Sequence, residues 1–484
     1  MSLATPEKIR SLQRKLYCKA KAEPAFRFYM LYDKICREDI LRHAYGLARG
    51  NAGAPGVDGM SFAEIEEQGV EAWLAGLRED LASRTYRPDP VRRVMIPKPD
   101  GGERPLGIPT IRDRVAQTAA KLVLEPIFEA DFEDTAYGYR PRRGAVDAVK
   151  DVHRQLCRGY TDVVDADLSK YFDNIPHRDL MQCVARRIVD RNVLALIKMW
   201  LKAPVEERDG DGKRRIVGGK GNTRGTPQGG VASPLLANIY MNRFLKHWRL
   251  SGCGEAFQAH VVSYADDFVI LSRGRAAEAL VWTRAVMTRL GLTINEAKTS
   301  LKNARQERFN FLGYSFGPHY PYKSRVRWCM NASPSKKSVL RLKAKVRELL
   351  VPGNINPWPE VRDELNRSLR GWSSYFCFGT RVEAARSVDH YVRERVRAFL
   401  ARRHKVAGRG TIRFSCEVVY GERGLLRLER RPLTAPSCAS RGSQSESWKP
   451  EIGKSGPMSG DGKRSAGHRP KATAPILDST RPQS

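Results

Sequence analysis

Two adjacent carboxylates, Asp266 and Asp267, sit inside an otherwise apolar stretch at residues 261–271. Apolar and β-branched residues flank them on both sides. This predicts two short strands joined by a tight turn with the Asp pair at its tip. Asp is common in turns because its side chain bonds nearby backbone, so the pair taken alone reads as an ordinary hairpin. The flanking runs, however, should bury the strands on both faces. An anionic pair at the end of a buried hairpin is costly unless a cation neutralises it, and a divalent metal with oxygen ligands does so. A second acidic element lies at residues 162–173. In a strand, Asp165 and Asp167 share a face. Either could meet Asp266 at a metal, and spacing leaves both open. Asp173 lies further along and reads as a cap or brace for a helix start.

Cations and neutral polar groups stand elsewhere in the chain. Residues 94–109 predict a strand, a turn at Asp100-Gly101 and a returning strand. Lys98 and Arg104 flank that turn and could reach one bound polyphosphate together. Residues 225–240 form a Gly/Pro loop running into an apolar helix. Its glycines permit close backbone approach to a ligand, and Gln228 is placed where a base or sugar could lie. Tyr137-Gly138-Tyr139-Arg140-Pro141-Arg142-Arg143 interleaves aromatics with cations, a composition suited to stacking and phosphate contact. The Gly-rich loop at 50–59 is not a phosphate-binding P-loop, because no Gly-Lys-Ser/Thr follows and no helix opens on it.

The elements that must position these groups fit a large, basic, globular chain. It has 484 residues, enough for several domains with their own cores, and 41% hydrophobic content. The 85 Lys+Arg against 53 Asp+Glu leave a formal net charge of +32 spread along the chain, which favours a polyanionic partner. Nucleic acid is preferred over a membrane, since no apolar run approaches the ~20 residues of a spanning helix. No apolar signal core opens the chain, which predicts a cytoplasmic protein. Nine Cys without a C-x-x-C pair argue against structural zinc and a disulfide framework.

Residues 1 to about 90 read as helical and basic, with aromatics beside cations at 26–32. Helical periodicity resumes at 111–128 despite Pro126, again at about 277–290, and densely from 335 to about 403. Past about 431 the composition turns to Ser, Gly, Pro, Lys and Arg, which predicts a disordered basic tail.

In this order the pieces resemble the reverse transcriptase–maturase proteins encoded within bacterial group II introns, over about residues 10–430. The resemblance rests on Gly-Val-Asp-Gly (56–59), Ile-Pro-Lys-Pro-Asp-Gly with Arg-Pro-Leu-Gly-Ile-Pro (96–109) and Tyr-Gly-Tyr-Arg-Pro (137–141). It continues through Asp-Leu-Ser-Lys-Tyr-Phe-Asp-Asn-Ile (167–175), Gly-Thr-Pro-Gln-Gly-Gly (225–230), Tyr-Ala-Asp-Asp (264–267) and Leu-Asn-Arg-Ser-Leu-Arg-Gly-Trp (365–372). Each motif alone is weak; the set in order is specific.

The resemblance implies an α+β right-hand polymerase with fingers and palm, its antiparallel palm sheet carrying helices. An α-helical thumb/maturase domain and the disordered tail follow. The implied boundaries are a basic N-terminal extension at 1–75, fingers and palm at 76–318, thumb/maturase at 319–431 and the tail at 432–484. Asp167, Asp266 and Asp267 would be the catalytic, metal-binding carboxylates, holding two Mg²⁺ with Mn²⁺ as a possible substitute. An all-oxygen donor set favours Mg²⁺ over zinc, and two such ions stabilise the attacking and leaving oxygens of nucleotidyl transfer. Lys98 and Arg104 would hold the incoming triphosphate, and Phe172 would exclude a 2′-hydroxyl. Gln228 would lie by the template–primer, and Lys298 would protonate pyrophosphate as general acid. Arg140, Arg142, Arg370 and Trp372 are candidate RNA contacts. The expected partners are group II intron RNA, an RNA template with a DNA primer, dNTPs and target DNA, in a bacterial cytoplasm and on the nucleoid when DNA-bound.

One departure from many relatives is that residues after about 430 hold a single Cys438, one His468 and no C-x-x-C. The expectation is therefore no C-terminal endonuclease, no second-strand cleavage, and primers taken from elsewhere. Two other readings stand beside the main one: an RNA-binding splicing factor with little polymerase activity, and a domesticated reverse transcriptase serving defence or repair.

Overall fold

The computed structural model describes residues 3–97, 102–208, 213–219, 221–319, 329–408 and 410–429. Lys98, the expected turn at Asp100-Gly101 and the tail at 432–484 lie outside the described residues. In chain order the strands are β1 (Val91–Pro97), β2 (Glu103–Ile108), β3 (Asp162–Ala166), β4 (Pro204–Arg208), β5 (Arg214–Gly218) and β6 (Ala259–Tyr264). They continue with β7 (Asp267–Ser272), β8 (Ser300–Asn303), β9 (Phe309–Phe311), β10 (Tyr314–His319) and β11 (Cys329–Pro334).

The central sheet runs β6-β7-β3-β8 with every pair antiparallel. Its strands show no polar alternation because both faces are covered. Val164, Ala166, Val261, Phe268 and Ile270 join the largest core. Val163, Val262, Val269 and Leu271 meet a second layer built from the helix Ala145–Cys157 and the sheet β11-β10-β9. A further sheet, β2-β1-β4-β5, places the antiparallel hairpin β1–β2 beside β4 through a parallel pairing at Val91↔Val205.

The largest core runs from the N-terminal helix Glu7–Ala22 through the helix Ile111–Glu129 to the helices Ser233–Leu250 and Ala276–Arg289. Ile111–Glu129 is buried along nearly its whole length, and the Thr110 side chain caps it by accepting from the Asp113 backbone N–H at 3.2 Å. The N-terminal helices are thus part of this core, not a separate basic arm. Two residues tie them down. Arg187 donates to the Ala20 and Phe26 carbonyls at 2.6 and 3.1 Å. Asp190 accepts from the Leu31 and Tyr32 amides at 2.9 Å each, while its other oxygen caps the helix Arg191–Leu201.

Three helices, Lys336–Leu349, Trp358–Tyr375 and Val382–Arg403, enclose a smaller core of Leu342, Val346, Leu365, Leu369, Val388, Val392 and Val396. Among the described residues no helix is long and apolar enough to cross a membrane. Trp372 packs against this core and against the layer beneath the central sheet, with its ring centroid 4.9 Å from that of Phe376. It is therefore a half-buried residue that packs against two cores, the core role that the sequence allowed beside an RNA contact. Arg370 is exposed on the same helix.

The reading of Arg140 as an RNA contact is corrected. Its side chain is 2% exposed, and it forms a two-pronged ion pair with Glu129 at 2.9 and 2.8 Å, where Glu129 is fully buried. It also donates to the Glu133 and Ala136 carbonyls. A cation so enclosed cannot reach RNA; it locks the chain leaving Ile111–Glu129 onto that helix. Removing one partner of a buried pair strands the other charge, at a cost of about 3–5 kcal/mol. Arg140→Ala should lower the thermal midpoint accordingly. Arg140→Lys should recover only part of it, because an ammonium cannot reproduce the forked contact. The salt dependence of RNA binding by folded Arg140→Lys should match that of the parent protein.

Candidate active site

Strand register assembles the carboxylates. β3 pairs with β7 through Asp165↔Val269 and Ala166↔Phe268, so the next step sets Asp167 opposite Asp267. Directly opposed residues of an antiparallel pair project from one face with their Cβ atoms about 5 Å apart. On the other side of β7, Tyr264 pairs with Asp267, which leaves Ala265 and Asp266 as a two-residue hairpin loop. Ala265 has φ +59°, a left-handed conformation usually given to Gly at this point of a hairpin. The strained loop holds Asp266 beside its two counterparts.

Asp167 is further fixed by residues 293–299. Its carbonyl accepts from the Asn295 amide at 2.8 Å, and its carboxylate accepts from Asn295 Nδ2 at 3.2 Å. Lys298 Nζ lies 3.5 Å from the same carboxylate oxygen, on a side chain that is otherwise largely exposed. Asp165 stands two residues further from the hairpin, 3.8 Å from Lys302, and acts on Asp267 through its charge. Of the two strand carboxylates left open by spacing, Asp167 is the one that faces the hairpin.

The electrostatics record an uncompensated anionic crease. Although solvent still reaches it, Asp267 is pushed up to about 7 by desolvation against surrounding protein, then by Asp266, Asp167 and Asp165, with Lys298 pulling the other way. Burial, and next to it Asp167, also raises Asp266. Among the described residues no three His, Cys, Asp or Glu side chains are already drawn together as a metal cage. The fit to a divalent cation lies in the donors: three oxygen-bearing, mutually repelling carboxylates at one end of the sheet, with Lys298 as their near cation among the described residues. A hard cation suits such a set.

The remaining candidates surround this crease. Phe172 is half-buried and packs edge-on against the buried Tyr171 ring at 5.6 Å. The loop at 225–228 runs along its flank, with the Thr226 amide donating to the Phe172 carbonyl at 2.7 Å. Gln228 Nε2 donates to both Asp173 oxygens at 3.0 and 3.1 Å. Asp173 therefore braces Gln228, a role the motif's order alone does not disclose. The same loop supports the β1–β2 hairpin: Gly107 N–H donates to the Gln228 carbonyl, and a Cβ on Gly229 would lie 2.1 Å from the Gly107 oxygen. Only glycine permits that approach. Arg104 is exposed on β2, opposite Ile96. Arg142 is exposed, away from the buried Arg140.

Two contributors were missed at the level of sequence. Asn295 lies three residues before Lys298, in a stretch read only for that lysine. Tyr139 stands in the motif read for its arginines; its ring meets Phe172 at 6.5 Å. Its interleaving with cations was visible, but which member of the motif faces the crease was not.

A pH dependence follows. An unfolded Asp ionises near 4, so a folded carboxyl held near 7 stabilises its protonated form and costs stability as pH rises through that interval. Cation binding requires the ionised form and so competes with the proton. About tenfold more divalent cation should be needed for half-maximal thermal stabilisation at pH 6 than at pH 8. An unchanged requirement would show that Asp267 takes no part.

Comparison with known proteins agrees with this architecture. Residues 96–316 match the family described as reverse transcriptase (RNA-dependent DNA polymerase), and residues 339–415 match the group II intron maturase-specific domain. Protein YkfC of Escherichia coli (strain K12) is 34% identical over 344 residues, covering 63% of this chain and 87% of that protein. The group II intron-encoded protein LtrA of Lactococcus lactis subsp. cremoris is 36% identical over 222 residues, 45% of this chain and 35% of that longer protein. A nuclear intron maturase of Arabidopsis thaliana, number 4 and mitochondrial, is 27% identical over 218 residues, 44% of this chain and 25% of its own. A polymerase region with a carboxylate crease, followed by a maturase-specific helical region, makes the chain an RNA-directed DNA polymerase, and it belongs to the group II intron reverse transcriptase–maturase family.

Proposed function

We propose that Asp167, Asp266 and Asp267 bind two Mg²⁺ and that the chain extends a DNA primer with dNTPs on an intron RNA template. The observation that carries this is the β3–β7 register, which ends at Ala166↔Phe268 and so brings Asp167 and Asp267 to the same end of the sheet, with Asp266 in the loop between β6 and β7. Bound there, the ions would supply charge stabilisation for the attacking and leaving oxygens. The protein's own groups do the rest. Asn295 holds the Asp167 carboxylate in one orientation. Arg104 brings a cation from the β1–β2 hairpin toward the triphosphate, and Lys98 belongs to the same hairpin by sequence. Phe172 closes the sugar side, and Gln228, held in place by Asp173, lines the site beside it. Lys298, beside Asp167, is the group able to give a proton to the leaving pyrophosphate.

The helix Lys336–Leu349 favours the RNA-binding role. Leu342 and Val346 are buried, while Lys337, Arg341 and Lys345 repeat every four residues as an exposed cationic stripe. Such a stripe, with Arg142 and Arg370, suits a phosphate backbone and makes binding steeply salt-dependent. The chain's maturase role is then to clamp folded intron RNA so that the RNA's own active site forms, and target DNA is the acceptor on mobilisation. This reading assigns the work to a bacterial cytoplasm and, when DNA is bound, to the nucleoid.

Primer extension by the purified protein, with Mg²⁺ and dNTPs on an RNA template, is the test. Asp266→Ala should abolish cDNA synthesis, by at least about 10³-fold, and leave intron RNA affinity within about twofold. Mn²⁺ should substitute for Mg²⁺. Extension surviving in Asp266→Ala would overturn the site assignment, and absence of extension by the parent protein with tight RNA binding would favour a splicing factor.

A further inference from the structure

Tyr139 is exposed to 39%, large, and in a left-handed backbone conformation at φ +55°. Residues other than Gly and Asn seldom pay for that conformation without a reason in the surrounding structure. Here the surroundings impose it. The Tyr137 amide donates to the Ser263 carbonyl at 2.8 Å, and the Ser263 amide donates to the Thr135 carbonyl at 2.9 Å. Asn238 Nδ2 donates to the Gly138 carbonyl at 2.7 Å. A Cβ on Gly138 would stand 2.4 Å from the Ala265 nitrogen, so this backbone lies directly on the loop that carries Asp266. Arg140, buried against Glu129, holds the other end. Tyr139 is displayed from a frame fastened on both sides.

What it is displayed toward is Phe172. The two rings meet edge to face, with centroids 6.5 Å apart and an interplanar angle of 78°. Phe172 also meets the buried Tyr171 ring at 5.6 Å and 71°. Phe172 thus has two aromatic neighbours, one buried in the core and one partly exposed. The Tyr139 phenol is within electrostatic reach of Asp266, Asp267 and Arg104, in keeping with its backbone lying on the Asp266 loop.

We propose that Tyr139 is a positioning residue for sugar selection: its ring holds Phe172 upright, and the pair, not Phe172 alone, excludes a 2′-hydroxyl. The inference rests on the reading of Phe172 as the sugar-side gate. A lone half-buried phenyl can tilt about χ1 and χ2 to admit one more oxygen, whereas a ring held by a second aromatic contact cannot do so without weakening that contact.

The test is single-nucleotide incorporation by the full-length protein on one primer–template, with dCTP and CTP compared as a ratio of kcat/KM. The ratio is internal to each preparation and is insensitive to the fraction of folded enzyme. Phe172→Val should lower it, and Tyr139→Ala should lower it by about 3- to 10-fold, the worth of one aromatic pair. Tyr139→Phe should restore it, since the ring is retained. In the Phe172→Val background, Tyr139→Ala should cause no further loss. An undiminished ratio in Tyr139→Ala, with Phe172→Val still defective, would overturn the bracing role alone. An equal loss in Tyr139→Phe would overturn it in favour of the hydroxyl. An undiminished ratio in Phe172→Val would remove the gate and the inference together.

Discussion

Like charges set directly opposite each other across an antiparallel pair repel, and the centre of this protein is built on that arrangement. Asp167 and Asp267 oppose one another at the end of β3 and β7, and Asp266 is added from the hairpin loop. No local preference would bring three carboxylates to one end of a sheet. The sheet does so because its strands are covered on both faces by apolar layers, which leave the register no freedom to slip. Desolvation first, and repulsion by the neighbouring carboxylates next, raise the protonation of Asp267. That repulsion is what a divalent cation would relieve.

The surrounding parts follow from the need to hold this unfavourable centre. Residues 293–299 clasp Asp167 through Asn295 and Lys298. The 135–140 segment is laid on the Asp266 loop from one side, and the 225–229 loop joins Phe172, Asp173 and the β1–β2 hairpin from the other. Behind them, the buried Arg140–Glu129 pair and the anchors at Arg187 and Asp190 bind the outer helices to the same core. Polar groups buried this deeply stabilise only when their partners are placed correctly, so they specify an arrangement more than they add free energy.

Much of this was legible along the chain. The double-sided apolar runs around Asp266 pointed to a sheet covered on both faces. The helix at 111–128 was readable through Pro126, and the structure runs it from Ile111 to Glu129. One error has a compositional cause. Arg140 was read as an RNA contact from its company of aromatics and cations. Composition is the same whether a side chain points outward or inward, and Arg140 points inward, while Trp372 is half-buried against two cores. Asn295 and the brace from Asp173 to Gln228 were invisible, because such contacts join residues 128 and 55 positions apart.

By itself the sequence determined the chemistry available: paired carboxylates in apolar strands, cations on a hairpin, a basic helical region, and a set of motifs whose order identifies the family. Residue type and near-neighbour pattern suffice for that, since they set charge, period and turn chemistry. Only the tertiary structure decided which groups meet. Asp167 and not Asp165 faces the hairpin because strand register assigns it to the position opposite Asp267. Tyr139 and not Arg140 meets Phe172, because Arg140 is committed to buried Glu129 while Tyr139, left-handed and following Gly138 packed on Ala265, reaches the Phe172 ring. Those outcomes depend on contacts between residues far apart in the chain, which no local pattern encodes.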